Sequence, residues 1–379
     1  IFNQQPISRA QIARITKLTR ATVSEMVNDC LEEGLVEEVG LGTSMGGKSP
    51  ILLSIVADSH FLIGVNLGQD KFTGAIVNLL GEIKETVEID IKYVDRLHAL
   101  QYVFQIIDQL VRMPYEPIVG IGIGTPGLVN TREGIIVNAV NLDWQDFPLA
   151  HLLMDRYHMP VHLLNDSQAL SIGEYVYNDK HGSDGNLVVV NVRYGIGAGI
   201  LINGQLFQGD GGSAGEIGHL TVEKNGRLCR CGRYGCLETV SSATAVLQRA
   251  EELLEKFPSS QLNELNQKPN LNNLLSAYKT NDPLAIKVVN ESAFYLGVVI
   301  ANLVGTLNIQ RIVIAGEMSR FGEPYIDEIY KSMRSACLDQ MAQDTEIKIG
   351  RLDSQGYLVG ASASLLLSDF SLLFANNDE

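Results

Sequence analysis

A cluster of cysteines downstream of a histidine constrains the fold of this chain more than any other feature. Within "GHLTVEKNGRLCRCGRYGCLE", residues 218–238, the spacing is His219-x9-Cys229-x-Cys231-x4-Cys236. One imidazole and three thiolates form a closed tetrahedral ligand set for a structural Zn²⁺. Thiolates this close together would repel or oxidise unless a cation held them. We predict a zinc loop over residues 219–236; the alternative is a reduced surface loop with incidental cysteines.

Two acids flank the predicted metal loop. Glu216 stands three residues before His219, and Glu238 stands two residues after Cys236. A metal that fixes both ends of the loop would hold these carboxylates in a set geometry. Such carboxylates accept hydrogen bonds from paired hydroxyls, which is what a sugar presents. The alternative for each acid is an exposed loop charge.

Charge is distributed unevenly along the chain. The net charge of −15 over 379 residues argues against nucleic acid, because phosphate repels an acidic surface. Residues 1–24, however, contain four basic residues and no acid, while residues 25–40 contain six acids and no base. A basic face at one end can therefore meet DNA. The first residues are no signal peptide and no apolar run is long enough to span a bilayer, so we expect a cytoplasmic protein without membrane contact.

The first residues predict two short helices and a tight turn. Ser8 with Gln11 forms a capping box for a helix to about Thr16, and Thr19 can cap a second helix that Gly34 ends. Apolar residues keep helical spacing along the second helix: Val23, Met26, Val27, Cys30 and Leu31. Two strands around a glycine-rich tip follow. The pattern predicts a winged helix-turn-helix.

DNA contacts are predicted at the start of the second helix, which faces the major groove, and at the wing tip, which is placed for a phosphate or minor-groove contact. The predicted residues are Arg20, Ala21, Thr22, Ser24, Asn28 and Lys48. Arginine can bond guanine or phosphate, and small methyl groups can touch thymine. The alternative is a small helical protein-interaction domain with a solvated charged face.

The rest of the chain predicts an α/β body of two similar lobes. From about residue 58, strands alternate with helices, and the strand–Gly-turn–strand pattern of the first part recurs at "NLVVVNVRYGIGAGILINGQLFQG". Ligands collect where strand ends and glycine-rich turns converge, so we expect a binding cleft between the lobes. The predicted domains are residues 1–57, 58–178 and 179–379.

The block "GEIGHLTV…CRCGRYGCLE" resembles the zinc-and-sugar signature of the ROK family (repressors, open reading frames and kinases). The segments "VRYGIGAGILINGQLFQGDGGSAGEIGH", "GIGTPGLVNTREGIIVNAVNLDWQDFPL" and "LLNDSQALSIGE" also resemble family segments, so the resemblance covers almost the whole chain. It implies an α/β fold with an actin-like, hexokinase-type pair of lobes. A winged helix-turn-helix ahead of this body is the arrangement of the family's sugar-responsive repressors, such as the xylose and N-acetylglucosamine repressors.

The resemblance also implies ligand contacts. It places sugar contacts on Asn141, Asn165, Asp166, Glu216, His219 and Glu238, and zinc on His219, Cys229, Cys231 and Cys236. In a kinase, Asp166 would deprotonate the attacking hydroxyl; here we assign no catalytic residue and expect Asp166 to accept a hydrogen bond from the sugar. Two alternatives stay open: Asp166 as the N-cap of a helix from Ser167, and Asn165 as a turn residue.

The nucleotide-contacting turns depart from the pattern of the family's kinases. In "VNLGQDKFTG", Asn66 replaces an acid, Gln69 a glycine and Asp70 a threonine. These changes weaken Mg²⁺ binding and place a negative charge toward a polyphosphate. Two further nucleotide-contacting turns also depart from the kinase pattern, one at Arg193 and Tyr194 and the other at Glu317.

We therefore predict a sugar-responsive DNA-binding regulator, a repressor of carbohydrate-utilisation genes, rather than an enzyme. Its expected partners are operator DNA, a monosaccharide effector and a second copy of itself, as a homodimer or a dimer of dimers. The alternative is an ATP-dependent sugar kinase of the hexokinase or glucokinase class with an appended DNA-binding domain. A third possibility is a regulator switched by a protein of the sugar phosphotransferase system.

Overall fold

The computed structural model of the chain describes residues 1–2, 4–43, 49–91, 95–178, 185–265, 268–352 and 355–374. The contacts divide the chain into two units, Ile1–His181 with Gly356–Glu379, and Gly182–Gln355. The final segment thus belongs with the first unit, whereas the sequence assigned it to the C-terminal lobe. The boundaries at residues 57 and 178 stay predictions.

The secondary structure alternates between strands and helices through both units. The strands are β1 Ile7–Ser8, β2 Val36–Leu41, β3 Ile51–Ile55, β4 Phe61–Leu67, β5 Lys71–Asn78, β6 Ile83–Asp90, β7 Ile118–Thr125, β8 Leu128–Asn130, β9 Ile135–Ala139, β10 Trp144–Phe147, β11 Val161–Asn165, β12 Leu187–Val192, β13 Ile196–Ile202, β14 Gln205–Leu206, β15 Arg311–Ala315 and β16 Glu346–Ile349. The α-helices are α1 Arg9–Thr16, α2 Arg20–Glu32, α3 Arg96–Leu110, α4 Leu149–Tyr157, α5 Asp166–Gly173, α6 Glu238–Ser241, α7 Ala243–Leu253, α8 Leu271–Lys279, α9 Pro283–Leu307, α10 Glu323–Ala336, α11 Asp339–Asp344 and α12 Gly356–Ser368.

The two N-terminal helices begin at the predicted capping residues. The Ser8 side chain accepts a hydrogen bond from the Gln11 amide, and the Gln11 side chain accepts one from the Ser8 amide, which completes the capping box. Thr19 accepts from the Thr22 amide at 3.2 Å and caps α2. Gly34 follows α2 with a φ of +67°, the left-handed conformation that ends a helix. The predicted helix-turn-helix is confirmed.

α2 packs one face against the wing and exposes the other. Val23 and Val27 are buried, and Leu53 of β3 is buried in the same apolar cluster. Met26 is 54% exposed, although it keeps the helical spacing of the apolar residues of α2. It lies at the margin of the helical stripe, outside the core formed by the two valines.

The wing is an antiparallel pair of strands. β2 pairs with β3, and β1 adds a short third strand on the other side of β3. This arrangement confirms the two predicted wing strands. Lys48, the predicted contact at the wing tip, lies outside the described residues.

Both units contain a five-stranded sheet of the same topology in the part of the chain that the structure describes. The strand orders are β11-β7-β4-β5-β6 and β14-β13-β12-β15-β16. In each sheet the central strand pairs antiparallel with the strand that follows it and parallel with a later strand reached through helices. The predicted duplication of an α/β lobe is confirmed.

The final helix, α12, closes one face of the first unit's sheet. A Cβ atom at Gly122 in β7 would lie 1.9 Å from the carbonyl oxygen of Ala361, and one at Gly64 in β4 would lie 2.1 Å from that of Leu358. Glycine at these positions lets the helix backbone rest directly on the strands. The close fit explains why α12 belongs to the first unit although it follows the second along the chain.

One apolar cluster continues from the winged domain into the first unit's sheet and α12. Its buried members are Val23, Val27, Leu35, Val36, Leu53, Leu62, Leu79, Val119, Leu365, Leu366 and Leu373. The rings of Phe2 and Phe370 also meet edge to face at 5.6 Å. The Leu79 amide donates to the carbonyl of Ala57 in the connecting segment. The winged domain and the end of the chain therefore share a core.

The second unit is built around the long helix α9. By length and apolar composition alone, α9 could cross a membrane, but 61% of its most apolar window is buried inside the protein. It packs along α10, and its apolar side chains belong to the core of the unit. This burial is typical of a core helix.

Candidate functional site

The four predicted metal ligands come together in the second unit. The ligand atoms of His219, Cys229, Cys231 and Cys236 all lie within 4.8 Å of one another. Cys231 Sγ is 3.7 Å from Cys236 Sγ, and Cys229 Sγ is 3.6 Å from His219 Nδ1. A tetrahedral ion with metal–ligand distances of about 2.3 Å to sulfur and about 2.0 Å to nitrogen requires about 3.8 Å between two sulfurs and about 3.5 Å between sulfur and nitrogen. The cluster therefore fits a tetrahedral metal ion.

Burial disfavours the thiolate form of two of the three cysteines when no cation is bound. Burial and the neighbouring thiols raise the pKa of Cys236 to about 12, and burial raises the pKa of Cys229. Burial acts in the same direction on Cys231, but hydrogen bonds from the Arg233 amide and the other thiols outweigh it, so the pKa of Cys231 lies below its usual value. Metal binding needs thiolates, so a bound cation would release protons from this cluster.

Contacts within the second unit hold the metal loop in shape. Thr221 pairs with Cys236, and Leu228 pairs with Tyr234, as antiparallel bridges. The hydroxyl of Tyr295 on α9 donates to the carboxylate of Glu223 at the start of the loop. The loop is thereby tied to the core helix of its unit.

The two predicted sugar-binding acids neighbour the metal ligands. Glu216 Oε2 lies 3.9 Å from His219 Nε2, the ring nitrogen that does not face Cys229. The side chain of Glu238 is only 8% exposed, and its Oε1 lies 3.9 Å from Cys229 Sγ. Both acids are positioned by the same loop that carries the metal ligands.

Arg230 pairs with Glu238 at two points. Its Nε lies 2.8 Å from Glu238 Oε1, and its Nη2 donates to Oε2 at 3.1 Å. The Ile196 amide also donates to Oε2, at 3.2 Å. Sequence reasoning assigned no role to Arg230. The sequence does show that Arg230 stands between Cys229 and Cys231, and this position places its backbone next to two metal ligands.

In the first unit, two candidate sugar residues, Asn165 and Asp166, lie at the carboxyl end of β11 in the parallel part of the sheet. β4, β7 and β11 pair in parallel, with Asn66 opposite Gly124 and Asn165 opposite Thr125. Asp166 follows β11 directly and begins α5. Ligands of open α/β sheets bind at this edge.

Asn165, and not Asp166, is the N-cap of α5. Asn165 Oδ1 accepts from the Ser167 amide at 2.9 Å, and the Gln168 side chain accepts from the Asn165 amide at 3.3 Å. Asn165 Nδ2 also donates to the Gly127 carbonyl at 2.9 Å. The alternative that Asp166 is the N-cap is therefore wrong. Asp166 is the first helical residue, and its Oδ1 accepts from the Ser167 amide at 2.7 Å.

Asn141 lies on a short 3-10 turn, Val140–Leu142, between β9 and β10. Its side chain is exposed, while Leu142 beside it is buried. Trp144 and Phe147 of β10, which follows this turn, stack with ring centroids 4.6 Å apart.

The turns that depart from the kinase pattern are well defined. Gln69 and Asp70 are exposed at the end of β4. The Arg193 amide donates to the Gly195 carbonyl at 2.9 Å and closes the turn between β12 and β13. Glu317 pairs with Arg320 at 3.0 Å.

The start of α2 presents most of the predicted DNA-contacting residues to solvent. Arg20, Ala21, Thr22 and Asn28 are exposed, and Ser24 is half-buried. The Thr22 hydroxyl bonds the Thr19 hydroxyl at 2.9 Å, and Asn28 Oδ1 accepts from Arg9 at 3.4 Å. Arg9 also pairs with Glu38 at 3.2 Å.

Comparison with known proteins shows similarity along the whole chain. The ROK family profile matches residues 62–367. The xylose repressor of Caldicellulosiruptor bescii is 30% identical over 97% of this chain and 94% of its own length. The glucokinase of Halalkalibacterium halodurans is 32% identical over 84% of this chain and 99% of its own length. The crystal structure of a ROK family transcriptional regulator, a homologue of the E. coli MLC protein, has a TM-score of 0.85 at 26% identity and covers 98% of this chain and 94% of that one. Both regulators match more of this chain than the glucokinase does.

Proposed function

Since this chain belongs to the ROK family, we propose that it is a DNA-binding transcriptional regulator whose operator affinity is set by a monosaccharide. The winged helix-turn-helix carries this proposal. It precedes the ROK match at residues 62–367, and the start of α2 is exposed as a recognition helix requires. We propose that the protein acts in the cytoplasm as a repressor of carbohydrate-utilisation genes.

DNA recognition would use the exposed first turn of α2. Arg20 can donate two hydrogen bonds to guanine, and Ala21 and the Thr22 methyl group can contact thymine methyl groups. Asn28 and Lys48 would reach phosphates and fix the register. A homodimer or a dimer of dimers would place such helices on successive half-sites of an operator.

We assign Zn²⁺ to the metal cluster. Three sulfurs and one nitrogen at tetrahedral spacing are the donor set of structural zinc, and four protein ligands leave no open position. The ion would supply the positive charge that keeps the three thiols ionised. The consequence for the chain is a fixed loop that holds His219, Glu216 and Glu238 in one arrangement.

Each unit carries carboxylates or amides that we propose as sugar contacts. In the second unit, Glu216 and Glu238 can accept hydrogen bonds from sugar hydroxyls, and His219 can present Nε2 while Nδ1 faces the metal. In the first unit, we propose Asn141, Asn165 and Asp166 as contacts to sugar hydroxyls. Bonds to charged acceptors are shorter and stronger than neutral ones, which gives the acids the larger share of affinity.

We infer that phosphoryl transfer has been lost. Asn66 lacks the negative charge of a metal-binding carboxylate and so weakens Mg²⁺ binding, and the exposed Asp70 would repel a polyphosphate. The second candidate is a sugar kinase, which the position of Asp166 at the end of β11 favours, since a kinase base belongs there. The glucokinase similarity supports the same candidate.

For the sugar to act as a signal, it must bind one conformation of the protein more tightly than another. Either release or promotion of DNA binding satisfies this condition. If a sugar binds but leaves operator affinity unchanged, a protein effector such as a phosphotransferase-system component becomes the better proposal.

The test combines binding with turnover. Purified protein is titrated by calorimetry with D-xylose, D-glucose and N-acetyl-D-glucosamine, and each sugar is then incubated with ATP and Mg²⁺. We expect one sugar to bind and none to be phosphorylated, and we expect Glu216→Gln to weaken that binding by about tenfold or more. The matched control is Glu252→Gln, because Glu252 pairs with Arg227 on the metal loop but was assigned no sugar contact. Turnover at kinase rates, about 1 s⁻¹ or faster, would establish the second candidate instead.

A further inference from the structure

We propose that Arg230 is a removable cap on Glu238 that weakens sugar binding and so sets the sugar concentration to which the protein responds. This inference rests on the proposed function, because it takes Glu238 as an acceptor of sugar hydroxyls. It assigns Arg230 a role in tuning affinity that neither the metal ligands nor the sugar-binding acids perform.

The hydrogen-bonding capacity of Glu238 is nearly used up in this structure. A carboxylate has about four acceptor positions, two on each oxygen. Arg230 occupies one on Oε1 and one on Oε2, and the Ile196 amide occupies the second on Oε2. The remaining side of Oε1 faces Cys229 Sγ at 3.9 Å. A sugar that offers two hydroxyls to Glu238 must therefore displace the guanidinium.

The surroundings keep the guanidinium within reach of Glu238. Arg230 stands between two metal ligands, so its backbone cannot move away while the cluster is intact. At Gly195, a Cβ atom would lie 2.6 Å from Arg230 Nη2 and 2.7 Å from Glu238 Oε2. The absence of a side chain at position 195 thus makes room for the ion pair itself.

The cap is removable because the Arg230 and Glu238 side chains differ in solvent exposure. The Arg230 side chain is 62% exposed, whereas that of Glu238 is 8% exposed. An arginine this exposed is rehydrated when it swings away, so the arginine itself loses little on leaving the pair. Glu238 stays in place, with its bond from the Ile196 amide retained, and can accept the sugar hydroxyls instead.

The experiment is a calorimetric titration of Arg230→Ala with the sugar of the panel that binds the wild type best. We expect the variant to bind it more tightly, by about two- to fivefold, because the sugar no longer has to displace the exposed partner of the pair, Arg230. The sugar affinity of Arg230→Lys should lie between those of Arg230→Ala and the wild type, because an ammonium cannot reproduce the two-point contact of the guanidinium with Glu238. Raising the salt concentration from about 50 to about 500 mM should tighten sugar binding to the wild type and leave Arg230→Ala unaffected.

The matched control is Arg233→Ala, the other exposed arginine between ligand cysteines, whose carbonyl accepts from the Cys229 amide. It should leave sugar affinity and its salt dependence unchanged. Zinc content is measured for each variant, so that a disturbed loop is recognised. Glu238→Gln should weaken sugar binding in both the wild-type and Arg230→Ala backgrounds.

The outcomes separate this inference from the proposed function. If the wild-type protein binds no sugar, both the Arg230 cap and the proposed function are overturned. Wild-type binding with unchanged or weaker binding by metal-loaded Arg230→Ala overturns the cap and leaves the proposed function standing. If glucose 6-phosphate binds more tightly than glucose, and Arg230→Ala abolishes that difference, Arg230 is an anion ligand and the cap is also overturned.

Discussion

His219 presents Nε2 to Glu216, with 3.9 Å between the nitrogen and Oε2 of the acid. The opposite ring nitrogen faces the cysteine cluster. An ion bound by Nδ1 would fix the orientation of the ring and therefore the side that meets Glu216. The metal cluster and one candidate sugar acid are thus linked through a single imidazole.

The first prediction concerns the metal. Cys236 is fully buried in the cluster, so Cys236→Ser removes one thiolate and should reduce bound zinc from about one ion per chain to a small fraction. The loop would then lose its brace, and the melting temperature should fall. Cys337→Ser is the control, because Cys337 is half-buried outside the cluster. Full zinc content in Cys236→Ser, measured by elemental analysis, would contradict the ligand assignment.

The second prediction concerns the core shared by the winged domain and α12. Leu366 is 1% exposed and belongs to the same apolar cluster as Val23 and Val27 of α2. Leu366→Ala should therefore lower the free energy of unfolding by about 2–5 kcal/mol and weaken operator binding by the folded protein. The neighbouring Leu367, 36% exposed, provides the control variant Leu367→Ala. Loss of stability without any change in operator affinity would show that this core does not position the DNA-binding helices.

The third prediction concerns pH. His60 is buried where the winged domain joins the sheet; burial lowers the pKa of its imidazole, and Glu33 offsets part of that effect. The unfolded chain therefore takes up a proton at higher pH, near the ordinary value of about 6.5, than the folded protein does. The contribution to stability is complete above about pH 6.5 and is lost as the pH falls toward the folded pKa.

Thermal unfolding at about pH 7.5 and about pH 5.5 measures this effect. The wild type should lose more stability between the two than His60→Gln does, while His151→Gln, at an exposed histidine, should behave as the wild type. Burial also lowers the pKa of His162, so part of the loss should remain in His60→Gln. Identical losses in the wild type and His60→Gln would show that His60 is not the group responsible.

The fourth prediction concerns DNA. An operator selected in vitro from random duplexes should bind Arg20→Ala about tenfold or more weakly than the wild type, because an arginine–guanine contact contributes about 1–3 kcal/mol. Arg112→Ala, at an exposed arginine just after α3, should bind normally. Fluorescence anisotropy gives both affinities. Equal affinity of Arg20→Ala and the wild type would exclude Arg20 from the interface.

Local signals allowed much of this structure to be predicted. The caps at Ser8 and Thr19 depend on residues three positions apart, and the metal spacing is confined to one loop, so the sequence contains each signal in full. The repeated strand–turn–strand pattern likewise predicted two similar sheets. The exposure of Met26 could not be predicted, because spacing alone cannot tell the middle of an apolar stripe from its margin.

Features that depend on distant residues could not be predicted. α12 is apolar on all sides, so its pattern does not show that its carbonyls rest on Gly64 and Gly122. The pair between Arg230 and Glu238 likewise depends on Ile196, a residue more than thirty positions away in the sequence. Such contacts are set by tertiary packing rather than by local propensity.

The most direct test of the central claim measures operator affinity as the concentration of the bound monosaccharide is raised, without ATP. We predict that the dissociation constant for the operator changes by about fivefold or more. This change should saturate at the same sugar concentration that saturates sugar binding in calorimetry. An operator affinity that stays constant while the sugar site fills would contradict the account.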